Sequence, residues 1–237
     1  MIEKRLTELY NRAYQRDYIT YSEFLNLEEQ SILESSYLPC VKFGGYPTAE
    51  RIVAAFGDNA DVSDFPIELL EISPVSEKFS DNLTHRDFLG GLMNLGIKRE
   101  MLGDIIVNGN TAYLFCLEQV KDYIKQNLTR VKHTTVKIKI LDELPPCAVS
   151  EPESVELIVS SLRLDAVISA VYKLSRKNSC NLINSDKVFI NSRQIKNTSC
   201  LIKQEDIVSV RGLGRFKLVS ELRKTKKDRL VILIKRY

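Results

Sequence analysis

No stretch of this chain approaches 18 uncharged apolar residues, which excludes a membrane-spanning helix. The opening run Met-Ile-Glu-Lys-Arg-Leu-Thr-Glu alternates charge with apolar groups and holds no signal-peptide core, so a cytoplasmic protein is expected. The five cysteines (Cys40, Cys116, Cys147, Cys180, Cys200) are odd in number, widely spaced and without a C-x-x-C pair. That pattern fits reduced thiols and speaks against a disulfide framework or a zinc site. Glycine-rich phosphate loops are missing too. Phe43-Gly44-Gly45-Tyr46-Pro47 lacks the lysine and spacing of a P-loop, and Gly212-Leu213-Gly214 is followed by Lys217 where a third glycine should stand. Only two histidines exist, His85 and His133, and no serine or cysteine can be joined to one of them and an acid as a nucleophilic triad. No catalytic residue, metal or cofactor is expected.

What is present is an ordinary globular composition, 44% hydrophobic and 27% charged over 237 residues, enough for a sizeable core. The net charge of +3 conceals a strong asymmetry. Residues 161–237 carry 18 Lys+Arg against 6 Asp+Glu, a net +12, while residues 1–160 carry a net −9. A segment so basic implies an anionic partner, most often nucleic acid, with an anionic membrane surface as the competitor.

The pattern along the chain predicts an α+β protein in three parts. Residues 1–65 read as a small, mostly helical unit: a helix over 2–18, a second capped by Ser22, and a third starting at Pro47 and running through Ala54–Phe56. Residues 66–143 read as β-α-β-β-α-β, the split βαβ of ferredoxin-like domains, with a hairpin signal at Asn108-Gly109-Asn110 and a last strand over Val131–Leu141. A Pro-rich linker is expected over 144–156. Residues 157–237 then read as a helix with an apolar stripe at Leu164, Val167, Ile168 and Val171, a second short helix capped by Ser175, and four strands.

Several positions carry residue types that could do chemistry. His85-Arg86-Asp87 invites an acid–base reading, but the spacing Thr84-x-x-Asp87 matches a capping box, which is the preferred account. His133 is expected on a solvated strand face with Lys137 and Lys139. Gly90-Gly91 within a helix costs about 1 kcal/mol per residue relative to alanine. Either an RNA backbone or partner approaches there, or the helix packs tightly on the sheet; packing is favoured. Tyr113 and Phe115 alternate on one strand, yet Ile67–Ile72 offers no aromatic, so the base-stacking surface of an RRM is not expected.

The basic tail is more promising. Ser175-Arg176-Lys177-Asn178 sets two cations and free backbone N–H groups at a helix start, a phosphate cradle. Arg163 and Lys173 come from the preceding helix, and Lys187, Asn191 and Arg193 lie along the next strand and turn. A helix–turn–helix followed by a strand would gather them on one face, with cations on phosphates and Asn191 on a 2′-OH.

This tail resembles the RNA-binding domain first defined in the small-subunit ribosomal protein S-four, the alpha-L motif. The matching runs are Arg163-Leu-Asp-Ala-Val-Ile-Ser, Leu174-Ser-Arg-Lys-Asn-Ser-Cys-Asn-Leu-Ile, Lys187-Val-Phe-Ile-Asn and Gln204-Glu-Asp-Ile-Val-Ser-Val. The sequence departs from that family at Ser179, Asp186 and Glu205, which stand for Ala, Gly and Gly, so the turn before Lys187 is expected to be strained or rebuilt. With Asn181 from the second run, the candidate RNA contacts are Arg163, Lys173, Ser175, Arg176, Lys177, Asn178, Asn181, Lys187, Asn191 and Arg193. Phe43-Gly-Gly-Tyr-Pro-Thr-Ala-Glu-Arg and the run from Leu83 to Val107 in turn resemble the YlmH family of bacterial RNA-binding proteins.

That resemblance implies a non-catalytic, ribosome-associated factor on structured rRNA or tRNA. It would act on large ribosomal subunits that still carry tRNA, in quality control of stalled translation. A monomer is expected. Two rivals remain: an accessory of RNA modification, because pseudouridine synthases share the tail domain and an Arg-Leu-Asp motif, and a scaffold linked to cell division.

Overall fold

The computed structural model describes residues 2–148 and 152–237; residues 149–151 of the expected linker lie outside the described residues. The architecture is α+β, and its contacts define two compact units. One comprises Met1–Glu29 and Ser35–Val149, the other Gln30–Glu34 and Ser150–Tyr237.

The first unit begins with α1 (Ile2–Arg16), β1 (Thr20–Tyr21), α2 (Leu27–Ser36), β2 (Val41–Phe43) and β3 (Val53–Phe56). Here the expected third helix is corrected: Val53-Ala54-Ala55-Phe56 is a fully buried central strand in the antiparallel order β1-β3-β2. A short apolar run buried on both faces has no periodicity to separate strand from helix. The cap of α2 is Asn26, not Ser22. Its Oδ1 accepts from the N–H groups of Glu28 and Glu29, and the Glu29 carboxylate accepts from the Asn26 N–H at 2.8 Å. Ser22 is buried instead, its Oγ accepting from the Ala54 N–H at 2.9 Å.

Then come β4 (Ile67–Pro74), α3 (His85–Asn94), β5 (Leu102–Asn108), β6 (Thr111–Leu117), α4 (Glu118–Asn127), β7 (Arg130–Val131) and β8 (Thr134–Leu141). The strands form one antiparallel sheet, β5-β6-β4-β8-β7, whose first four members have the ferredoxin-like arrangement. The single strand expected over Val131–Leu141 is broken by a tight turn at Lys132, where φ is +52°. His133 therefore sits in that turn, its N–H donated to Asp81, rather than in line with Lys137 and Lys139.

Strand alternation gives this sheet two apolar faces. Leu70, Ile72, Ala112, Leu114 and Cys116 face Phe88, Leu92 and Ile124 of α3 and α4. Burial pushes the Cys116 thiol up to about 12, which leaves it protonated and unreactive. Leu69, Tyr113, Phe115 and Leu117 face the other way, against Phe24, Val53, Ala55 and Phe65 of the front section. Tyr113 and Phe115 are only 6% and 2% exposed, so the aromatic pair on β6 is core.

A polar clamp fastens the front section over that face. The Asp104 carboxylate accepts from the Tyr46 hydroxyl at 2.8 Å and from the backbone N–H groups of Glu50 and Arg51. The Arg51 guanidinium donates to the carbonyls of Leu102 and Phe24, and Arg99 donates to those of Leu102 and Gly103. Burial lowers both guanidiniums from their ordinary value, Arg99 to about 10, so both remain charged at neutral pH. Tyr46 stacks on Phe115 with ring centroids 5.1 Å apart. Gly45 has φ of +97°, and a Cβ there would lie 2.2 Å from the Phe115 ring.

The second unit contains β9 (Glu153–Val159), α5 (Leu164–Val171), α6 (Arg176–Asn184), β10 (Val188–Ile190), β11 (Arg193–Gln194), β12 (Ile207–Val210), β13 (Gly214–Lys224) and β14 (Leu230–Arg236). Its antiparallel order is β11-β10-β12-β13-β14-β9. Glu153–Val159, part of which fell in the expected linker, is an edge strand paired along its length with β14. The predicted stripe of α5 is buried with Ile183 of α6 against Val188, Val208, Phe216 and Ile232.

Two tests follow from the first unit. Gly45→Ala should destabilise it by at least about 2 kcal/mol, through backbone strain plus overpacking against Phe115, read by urea denaturation. The second concerns Asp87, whose carboxylate accepts from the Thr84 N–H and hydroxyl at 2.8 and 2.6 Å at the start of α3. Lys132 first, then Thr84, holds its pKa at about 2 against an ordinary 3.8. A depressed carboxylate stabilises the fold above its unfolded pKa, and that contribution disappears as pH falls through the folded value. Asp87→Asn should therefore melt below wild type at neutral pH, and the gap should close between about pH 4 and pH 2.

Candidate nucleic-acid interface

The candidate residues cluster around the link between α5 and α6. The chain leaves α5 through Tyr172 and turns at Lys173, which has φ of +53°. The turn is closed by the Leu174 N–H on the Ser169 carbonyl at 3.0 Å and by the Ser169 hydroxyl on the Leu174 carbonyl at 2.6 Å. Ser175 then caps α6 as expected, its Oγ accepting from the Asn178 N–H at 3.1 Å. Ser179 is wholly buried and donates its hydroxyl to the Ser175 carbonyl. Lys173, Arg176, Lys177, Asn178 and Asn181 are all solvent-exposed around this short helix.

Asp165, which was not among the candidate residues, organises the two arginines. Its side chain is 3% exposed as a residue and receives the Arg163 fork, Nε at 3.1 Å and Nη2 at 3.2 Å. Arg176 reaches the same carboxylate from α6 with Nη2 at 2.6 Å. Burial pushes the Asp165 pKa up, but the hydrogen bonds and charges of the two guanidiniums outweigh it and hold the group below its ordinary value. The Arg163 and Arg176 side chains remain 41% and 49% exposed. One buried anion thus brings together Arg163, which stands just before α5 rather than in it, and Arg176 of the first turn of α6, and fixes their direction.

The other predicted contacts lie elsewhere on the unit. Lys187 and Asn191 flank the three-residue β10 at opposite ends, so one strand separates them. Asn191 uses one amide N–H on Asp206 at 2.7 Å and one lone pair of its oxygen on the Ile207 N–H at 2.9 Å, and its side chain is exposed. Its work in this structure is to tie a turn with φ of +48°. Arg193 is exposed and lies 3.4 Å from the carboxylate of Glu34, one of the five residues of α2 that group with this unit. Asn191, Arg193 and Lys203 line a groove of about 440 Å³ that also contains Glu34 and Asp206, a mixed rather than a basic surface.

The turn before Lys187 is the strained one of the two expected forms. Asp186 adopts φ of +60° and Glu205 φ of +72°, left-handed conformations that glycine adopts without strain. Ion pairs with Lys196 and Lys217 accompany them. The long β13–β14 hairpin carries a further basic stretch, Arg223–Arg229, that motif matching passed over because it belongs to no motif. Two of its cations are paired, Arg223 with Glu156 and Lys224 with Asp228.

Neither histidine makes a side-chain hydrogen bond with an acid or a nucleophile among the described residues, and no group of three metal-ligating side chains occurs among them. Among the described residues no helix is long and apolar enough to cross a membrane.

If Asp165 positions the arginines, Asp165→Asn should weaken RNA binding although it makes the unit more basic. Electrostatics without geometry predicts the reverse. The variant should also lose about 1–3 kcal/mol of stability as its charge-assisted bonds weaken. Fluorescence anisotropy with labelled tRNA beside chemical denaturation measures both.

Residues 60–143 match the family model described as "Putative RNA-binding domain in YlmH". The chain is 31% identical over 230 residues to the ribosome-associated protein quality control protein P2 of Bacillus subtilis (strain 168), covering 93% of this chain and 88% of that protein. A solved structure, the cell division protein ylmH from Streptococcus pneumoniae, is 26% identical, with a TM-score of 0.49 over 59% of this chain and 88% of the other. The Bacillus likeness spans almost the whole chain, both units included, and on that ground the chain belongs to the YlmH family.

Proposed function

We propose that this protein is a non-catalytic, cytoplasmic RNA-binding factor. It associates with the large ribosomal subunit through rRNA or tRNA and takes part in quality control of stalled translation. The observation that carries the reading is the pair Arg163 and Arg176 held on the buried Asp165, beside Lys177 and the capped start of α6, within a segment of net +12. The match to the YlmH RNA-binding family model and the likeness to the Bacillus quality-control protein support it. The Arg-Leu-Asp triplet shared with pseudouridine synthases serves position here: its aspartate is buried and engaged by two guanidiniums, which argues against direct attack on a base. Phosphate clamps read backbone and shape, so a single such surface selects RNA poorly by sequence. Additional contacts on a large assembly would supply the selectivity.

Reversing Arg176 and Lys177 together, to glutamate, should remove two phosphate contacts. The log–log dependence of RNA affinity on salt should then flatten by about 1.4–1.8. On sucrose gradients at low salt the wild-type protein should co-sediment with tRNA-bearing large subunits, and the double variant should remain at the top. Wild-type protein that stays unbound with those subunits present would overturn the reading.

A further inference from the structure

The two glycines of α3 have different reasons to be there. A Cβ on Gly91 would lie 3.3 Å from Leu128 and 3.6 Å from Val131, so this position packs closely against the α4–β7 segment. A Cβ on Gly90 would meet nothing within 4 Å. Internal packing therefore explains one glycine and leaves the other, in the middle of a helix, with no partner in its own fold.

Gly90 opens onto a groove of about 430 Å³ between α3 and the end of α4 with β7. Arg86 stands at the second position of α3, Asn94 and Asn127 at the ends of α3 and α4, and Arg130 on β7; all four line the groove and are exposed. No hydrogen bond or ion pair among the described residues holds the side chain of Arg86, Asn94 or Arg130. Asp87 is the single acid in the lining, and Lys132 neutralises it at 2.8 Å. Two unpaired guanidiniums and the Asn94 amide flank a stretch of helix without a side chain, and the Asn127 amide there donates one N–H to the Tyr123 carbonyl at 2.8 Å. Guanidinium forks match phosphate oxygens, amides match sugar hydroxyls and ester oxygens, and a missing Cβ lets a backbone come close.

We infer that this groove is a second RNA-binding site, which takes the sugar–phosphate backbone of a strand laid across α3 at Gly90, clamped by Arg86 and Arg130. The inference rests on the reading of the protein as an RNA binder and adds to it a site in the first unit, separate from the α5–α6 surface. It also explains a local contradiction. A net-acidic stretch of chain has a local cationic groove at the one point where its helix gives up a side chain.

The test uses the full-length protein and labelled tRNA, with affinity measured across a salt series and thermal melting measured in parallel. Gly90→Leu should melt at or above the wild-type temperature, since leucine favours helix and its Cβ meets nothing, yet it should bind roughly tenfold more weakly by obstructing the approach. Arg86→Glu with Arg130→Glu should flatten the salt dependence by about 1.4–1.8, the amount expected for two phosphates. Wild-type affinity and slope in both groove variants would overturn the inference, and so would weaker binding that always comes with a lowered melting temperature. If only Arg176→Glu with Lys177→Glu weakens binding, this inference falls while the proposed function stands. A wild-type protein that binds no RNA overturns both.

Discussion

The Asp104 carboxylate, shared by the Tyr46 hydroxyl and two backbone N–H groups, closes the second face of the ferredoxin-like sheet. Beside that tie, the Arg51 guanidinium on the Leu102 carbonyl and the Phe24 N–H on the Glu100 carbonyl also hold the front section over Tyr113 and Phe115. With it, Arg51 and Arg99 can be partly buried, because their donors are directed at backbone carbonyls that the sheet edge would otherwise leave open. The runs that carry the family resemblance, Phe43 to Arg51 and Leu83 to Val107, thus turn out to contain both halves of a fold-closing device. A consequence reaches function directly. The face that an RRM would offer to stacked bases is filled by the chain itself.

The second unit uses a single carboxylate differently. Asp104 collects donors from backbone and tyrosine, and its neighbouring arginines turn inward. Asp165 collects two arginines whose outer edges stay in water. A buried anion with two cationic partners is a way to orient charge without neutralising it: one negative against two positive leaves a net positive site whose geometry is fixed before a ligand arrives. Such preorganisation lowers the ordering cost that flexible lysines would incur on binding.

The legible parts of the sequence were those where one local rule acted alone. The apolar stripe of α5, the Asn108-Gly109-Asn110 hairpin, the Ser175 cap and the pairing of Thr84 with Asp87 each follow from spacing within a few residues. β3 was misread as helix because a doubly buried strand has no alternation. Part of β9 was hidden by the neighbouring prolines. Ser22 lost the cap to Asn26 because a long-range bond to Ala54 claims its hydroxyl. Asp165 escaped notice for a related reason: an acid inside a basic segment reads as noise until its two partners are seen to meet on it.

These features bear on how the proposed RNA reading can achieve selectivity. Recognition that relies on phosphates is strong at low salt and nearly blind to sequence. A uniformly basic protein of this size would therefore adhere to any RNA. Here residues 161–237 carry a net +12, while the preceding residues carry a net −9 that disfavours indiscriminate binding of polyanions. Each cationic surface alone would bind weakly, and a target that satisfies several at once gains through effective concentration rather than through a stronger single contact. A folded ribonucleoprotein surface offers phosphates at fixed separations and can satisfy such a set. A flexible single strand cannot do so without losing its own conformational entropy. On the proposed reading, several weak contacts made together, rather than base stacking on β6, would favour a folded ribonucleoprotein over bulk RNA.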